Sequence, residues 1–311
     1  MTVLAPPRLQ APPVTSPSRR HRGGWVPYAF VAPAMVVLVA FAVLPILVAG
    51  VVSTTDMDIS GLADPSSVSF VGLENYRRLL ADPQFWNALR TTGAFTVVGV
   101  PVIVVASLAV ALLLHRSGGR LASTLRAFYF LPAITAIVAV ALVWGYLYNS
   151  QFGLLNYLLS LVGLGPVPWL SDPTWARFSV GLVAVWRATG LNIIIFLAAL
   201  QGIPHEYDEA AQLDGATELQ RTRRITVPLL RFAIFFVTVT TVISWLQFFD
   251  EPYVLTQGGP NDATTSISLY IYEQGFRYNQ FGFASAGSLV LFVIIAVVTV
   301  VQLRLRGSDD H

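Results

Sequence analysis

The chain has 311 residues, of which 55% are hydrophobic and only 12% charged, against about 25% charged in an ordinary soluble domain. With a mean hydropathy of +0.64 and a net charge of +2, it has too few charges to cover a water-soluble globule and too little positive charge for a nucleic-acid surface. All 19 basic residues are arginine and there is no cysteine, so lysine Schiff bases, a P-loop lysine, disulfides and cysteine-ligated metals are excluded.

In chain order, residues 1–24 are rich in proline, alanine and serine and read as a disordered tail, ending on Arg19, Arg20 and Arg22. The uncharged run behind them, Gly23 to Thr55, is too long for a signal peptide and lacks an obvious cleavage site. It is expected to stay as an anchor, with a first span at about 27–51. Further apolar runs predict spans at about 91–114, 127–148, 178–200, 228–249 and 281–303. These spans lie in one membrane domain over 25–306, followed by a short tail at 307–311. Asn149-Ser150-Gln151 interrupts the third apolar run, and Phe152 to Val162 reads as a short apolar helix in the next loop. Pro33, Pro45, Pro101 and Pro132 fall in spans, where each is a packing adjustment or a hinge. Trp144, Tyr146 and Tyr148 read as an interfacial belt. His21, His115, His205 and His311 are too dispersed to suggest a metal cluster.

With the N-terminus inside, thirteen arginines fall on inside segments, five on outside segments and span edges, and Arg187 within a span. This asymmetry favours cytoplasmic N- and C-termini. The loops at 52–88, 150–177 and 250–280 are then external, and 204–228 is the one long cytoplasmic loop.

That loop has internal order. Pro204 ends one helix or starts the next, and Glu206 to Leu213 reads as a short helix with acids in its first turns. Gly215 then allows a sharp turn, and an amphipathic segment with Arg221, Arg223 and Arg224 leads to Pro228. This is either a rigid knob that docks a soluble partner or an ordinary polar surface loop.

Glu209, Ala210, Ala211, Gly215, nine further residues, Ile225 and Pro228, with Asp214 and Ala216 flanking the glycine, resemble the cytoplasmic loop of permease subunits of binding-protein-dependent ABC importers. Thr222 departs from that pattern, since sugar-importer members often carry an aromatic there. Other blocks extend the resemblance over most of the chain. They are Phe70 to Tyr76 with Phe85 to Leu89, Arg126 with Phe130 to Pro132, Phe152 to Asn156 with Pro168 to Leu170, and Tyr253 to Pro260 with Thr264, Tyr272, Phe276 and Gly282 to Ala284. The final block is similar to the first permease of the maltose, lactose and glycerol-3-phosphate importer group.

The resemblance implies an all-α integral membrane protein, a six-helix transmembrane bundle of the type I ABC importer permease kind, in a bacterial plasma (inner) membrane. It implies one half of a translocation path for a mono- or oligosaccharide. The implied partners are a second homologous permease, two cytoplasmic ATP-binding subunits and an extracytoplasmic solute-binding protein, beside the sugar and membrane lipid. No cofactor is expected in this chain. ATP and Mg would sit in the ATP-binding subunits, because the chain has no Gly-x-x-x-x-Gly-Lys motif and is not itself an ATPase. Glu209, Ala210, Ala211, Asp214, Gly215, Ala216, Arg223, Arg224, Ile225 and Pro228 would form the ATPase-coupling contact, although Arg223 and Arg224 equally suit topology anchoring.

Polar side chains within spans are costly unless they face the bundle interior. Arg187, Asn192, Ser244 and Gln247 are therefore candidates for the substrate path, with Trp245, Phe248 and Tyr253 as stacking platforms. The alternative for Arg187 and Gln247 is an interhelical bond. Gly258-Gly259-Pro260 reads as a lip over the entrance that meets the binding protein, or as a tight external turn. Arg187 keeps open a glycerol-3-phosphate or related polyol-phosphate importer. A self-contained secondary transporter, which does not need the Glu-Ala-Ala loop, a membrane enzyme, for which no acidic residue lies between the ends of any expected span, and a structural scaffold are more distant alternatives.

Overall fold

The computed structural model describes residues 26–116 and 120–307. The expected N-terminal tail, the C-terminal residues beyond Gly307, and the side chains of Arg120, Arg126 and Phe130 lie outside the described residues. The chain divides into two units, Met1–Val48 and Ala49–His311.

In the first unit, α1 (Val26–Leu38) carries Pro33 without breaking. A π-helical turn, Val39–Val43, follows and leads into α2 (Leu44–Val52), which begins Leu44-Pro45. Proline lacks an amide donor, and one wide turn is a common accommodation next to it. The run Tyr28–Val52 is long and apolar enough to cross a membrane.

The second unit is also helical, and no strand occurs among the described residues beyond one isolated bridge between Thr55 and Phe70. After α3 (Ile59–Ala63) and α4 (Glu74–Ala81), α5 runs from Pro83 to Arg116. It starts eight residues before the expected second span. The Asp82 carboxylate accepts from the Gln84 N–H at 2.8 Å, and Pro83 has no amide to satisfy. The helix passes Pro101 unbroken.

The expected third span is not one helix. α6 (Arg120–Ile134) and α7 (Ile137–Leu147) meet at 105° across Thr135-Ala136, just after Pro132. α8 (Leu154–Leu161) fills the following loop. Asn156 ties that loop together: it donates to Val167 O at 3.1 Å and accepts from Val167 N–H and the Trp169 indole at 3.0 and 2.9 Å. The expected aromatic belt is mostly internal. Tyr148 is buried and donates to Ser179 O at 3.2 Å, and Trp144 packs on Tyr148 and Trp186, leaving only Tyr146 exposed.

α9 (Pro173–Gln201) is capped by Asp172, whose carboxylate accepts from Thr174 and Trp175 N–H. Next come α10 (Glu206–Leu213), α11 (Glu218–Arg221), a π turn at Thr222–Thr226 and α12 (Val227–Leu229). α13 (Arg231–Leu246) then leaves at 64° to the preceding helical pair. It ends three residues short of the expected boundary at 249, because Gln247 and Phe248 N–H turn back to Ser244 and Trp245 O. α14 (Ile267–Tyr272) and α15 (Phe281–Gly307) complete the fold. By length and composition, four helical runs among the described residues can cross a membrane, or six if each bent pair counts as one span.

α5 and α9 pack along each other, with α13 against α5 and α6 against α9. In lipid the drive for this packing is close fit rather than escape from water. Gly99 of α5 shows the fit: a Cβ there would lie 1.9 Å from the Trp245 ring of α13. One core cluster, around Ala111, Ile193, Phe196, Leu200, Leu230 and Val237, joins the ends of α5 and α9 to the start of α13. A second, around Phe95, Ile103, Val180, Trp245 and Phe248, joins the same three elements at the other end.

Candidate functional site: a polar cleft and an exposed helical knob

α9 and α13, with Ala133 of α6, line an open cleft of about 440 Å³. Arg187, Asn192, Ser244, Trp245 and Phe248 all reach it, together with Thr240, Thr241 and Glu251. Arg187 and Asn192 are five residues apart and not on one helical stripe, but the cleft is broad enough to be lined by both. Gln247 and Tyr253 are exposed and do not line it. Gln247 caps α13, and Tyr253 stacks on Phe249 at 5.1 Å and meets Tyr272 edge-on.

The charge in the cleft is compensated within the chain. Arg187 Nε donates to Glu251 Oε1 at 2.8 Å, and its Nη2 lies 3.6 Å from Asp250 Oδ2. The Glu251 side chain is 3% exposed and that of Arg187 27%. One cation therefore faces two carboxylates. The sequence marks both acids next to span five, but their pairing with a residue 64 positions earlier depends on the turn after α13. Asn192 donates to Ala188 O at 3.1 Å, and Ser244 is exposed. Trp245 and Phe248 stack at 5.3 Å with planes 4° apart, so one face of each ring is already occupied. They are core residues that border the cleft rather than free platforms.

Gly258-Gly259-Pro260 is a tied turn. Gly258 has φ +84° and is buried, and Thr265 and Thr264 hydroxyls donate to Gly258 O and Gly259 O at 3.2 and 2.9 Å. Gly259 and Pro260 remain partly accessible.

At the opposite end, residues 206–229 form a knob between α9 and α13. α10 covers Glu206–Leu213, matching the expected helix, and Gly215 turns the chain at φ +76°. α11 opens with a capping box in which Thr217 and Gln220 satisfy each other's backbone. Glu209, Ala210, Asp214, Gly215, Arg223, Arg224 and Pro228 are exposed, whereas Ala216 and Ile225 are half-buried. Ala211 is buried against its own chain, so only Ala210 of the alanine pair is available to a partner. The knob also shows two aliphatic side chains that the sequence reading passed over. Leu213 is 90% and Leu219 77% exposed.

The inner face of the knob is pinned. Arg221 lies 2.5 Å from Asp208, and Arg116 at the end of α5 lies 2.7 Å from Glu218 and also bonds the Thr222 hydroxyl. The Thr222 hydroxyl in turn donates to Glu218 O at 2.8 Å. The departure at Thr222 thus exchanges apolar contact for a polar tie to α5. These contacts surround a small cavity of about 160 Å³ between the ends of α5 and α9.

Residues 83–306 match the family described as "Binding-protein-dependent transport system inner membrane component". The lactose transport system permease protein LacF of Rhizobium radiobacter is 36% identical over 90% of this chain and 92% of its own length. The trehalose/maltose transport system permease protein MalF of Thermococcus litoralis is 34% identical over 92% and 95%. A chain of a bacterial alginate ABC transporter, solved in complex with alginate pentasaccharide-bound periplasmic protein, shares the fold with a TM-score of 0.76. It is 24% identical, with 89% of this chain and 92% of that chain covered. The compensated cleft and the exposed knob are therefore parts of a multi-pass inner membrane protein, and the chain belongs to the family of binding-protein-dependent transport system inner membrane components.

Proposed function

We propose that this chain is one of two homologous permeases of an ABC importer and forms half of the path for an uncharged mono- or oligosaccharide. The observation that carries the choice of solute is the compensation of Arg187 by Glu251 and Asp250. A phosphorylated or anionic solute would need an uncompensated cation, and the one guanidinium lining this cleft is already paired with Glu251 and approached by Asp250. Asn192, Ser244, Thr240 and Thr241 supply the polar groups that hydroxyls need. The relatives named for lactose and trehalose/maltose transport support the same reading.

The knob joins the two helices that line the cleft. With cytoplasmic termini it faces the cytoplasm, where Leu213, Leu219, Glu209 and Ala210 would enter a groove on an ATP-binding subunit. Closure of two such subunits on ATP and Mg would then move α9 and α13 together and open the cleft toward an extracytoplasmic solute-binding protein. The internal pairs of Arg116 and Arg221 keep the knob stiff enough to transmit that motion.

The experiment is native mass spectrometry of the complex expressed from its own operon, followed by ATPase assays in proteoliposomes. One different permease and two ATPase copies per chain, with ATPase activity raised by a neutral sugar and its binding protein, is the expected result. A chain that runs alone or as a homo-oligomer sinks the reading. Stimulation by a sugar phosphate only sinks the choice of solute.

A further inference from the structure

A second groove, of about 630 Å³, lies between α5 and α9 on the half of the unit opposite the knob. Its walls are apolar, and they leave Val98 67% and Phe178 53% exposed. At one end stand two arginines, Arg90 and Arg177. Arg177 is steered there by its Nε, which donates to Ala263 O at 2.8 Å. Arg90 has no bonded partner among the described residues, and no carboxylate lines the groove. Asp262, whose backbone oxygen holds Asn87 at the same rim, has its carboxylate 3.4 Å from the Thr265 hydroxyl.

The depth of the groove has a natural scale. Along the helix axes, Val102 lies about 18 Å beyond Arg90 and Val185 about 12 Å beyond Arg177, at 1.5 Å per residue. One leaflet contributes about 15 Å of hydrocarbon. The groove therefore runs the length of one acyl layer and carries its two cations at the headgroup end. Guanidinium groups fit phosphate oxygens two at a time, and the apolar walls offer nothing to a sugar.

We propose that this groove binds one anionic phospholipid of the leaflet opposite the knob, with its phosphate held by Arg90 and Arg177 and an acyl chain laid along Val98 and Phe178. Trp245 lines both this groove and the polar cleft, so the lipid buttresses the wall they share. A zwitterionic lipid would bring its ammonium group, a third cation, to the same end of the groove.

The test is native mass spectrometry of the complete purified complex, exchanged into detergent with added phosphatidylglycerol or phosphatidylcholine. The wild type is expected to retain one more phosphatidylglycerol than the double variant Arg90→Gln/Arg177→Gln, whose occupancy falls at least ten-fold while the subunits stay assembled. Val98→Trp, which fills the groove without touching the charges, should cause the same loss. Phosphatidylcholine should be retained at a tenth of the phosphatidylglycerol level or less. Equal phosphatidylglycerol retention in wild type and either variant overturns the proposal. So does a disulfide formed in the assembled complex between Phe178→Cys and a cysteine placed on a neighbouring subunit, because the groove would then be a protein interface.

Discussion

Arg187 Nε and Glu251 Oε1 lie 2.8 Å apart, joining the middle of α9 to the turn that ends α13. Removing one partner of a buried pair costs about 3–5 kcal/mol when the other is left uncompensated, whereas replacing both with apolar groups is often neutral; here Asp250 stays 3.6 Å from Arg187 and holds the cost to the low end. Glu251→Ala should therefore lower the thermal stability of the purified complex by about 3 kcal/mol. Arg187→Met/Glu251→Leu should recover most of that stability and still transport poorly, since the cleft loses its polarity. Thermal unfolding in detergent, paired with sugar uptake, separates the two effects.

Leu213 carries no packing inside the chain, being 90% exposed. Leu213→Asp should leave the melting temperature unchanged and reduce retention of the ATP-binding subunit in a pull-down about ten-fold, consistent with loss of a buried apolar anchor worth about 1.5 kcal/mol. Wild-type retention of the ATPase by this variant would remove Leu213 from the docking contact.

Gly99 has no room for a methyl group, because the Trp245 ring stands 1.9 Å from where its Cβ would be. Gly99→Ala should destabilise by about 1–3 kcal/mol through overpacking. The paired change Trp245→Leu should relieve part of this loss, which a double-mutant cycle of thermal stabilities measures directly.

Arg116 holds the knob from α5 through Glu218 and Thr222. Its ion pair is half-exposed and worth under about 1 kcal/mol, so Arg116→Ala should hardly change global stability. The change should show instead as faster amide exchange over residues 206–229 and a lower ratio of sugar transported to ATP hydrolysed. Unchanged exchange in that segment would show that the tie does not stiffen the knob.

Tyr270 donates its phenol to Asp82 at 2.5 Å, between α14 and the start of α5. Burial, reinforced by the neighbouring Asp82 carboxylate, raises the phenol above its ordinary 10.0. A group with a raised folded-state pKa contributes stability below its unfolded value and loses it as the pH climbs above that value. The contribution of Tyr270 should thus be constant up to about pH 10 and fall beyond it. Tyr270→Phe should cost about 1–2 kcal/mol at neutral pH and flatten the alkaline limb of the stability profile.

Much of the molecule is legible without coordinates. Low charge, long uncharged runs and arginine asymmetry specify a membrane bundle, because the length of an apolar run and the charges that flank it are local properties of the chain. The helix at Glu206–Leu213 and the glycine turn are equally local, since acids in a first turn and a positive φ at Gly215 are decided by near neighbours. The starts of α5 and α9 are less visible, because Gln84, Asn87 and Arg177 in their first two turns look like loop residues until Asp82 and Asp172 are seen as caps. What only the tertiary structure decided is which side chains meet. Arg187 reads alone either as a cation in a substrate path or as one end of an interhelical bond, and it is found to be a neutralised strut only when α13 stops at Leu246 and the following turn returns Glu251 to α9. Trp245 and Phe248 read as free rings and prove to be stacked on each other, and Ala211 reads as outward and proves inward. Such pairings join residues tens of positions apart, and no local periodicity encodes a distance between helices.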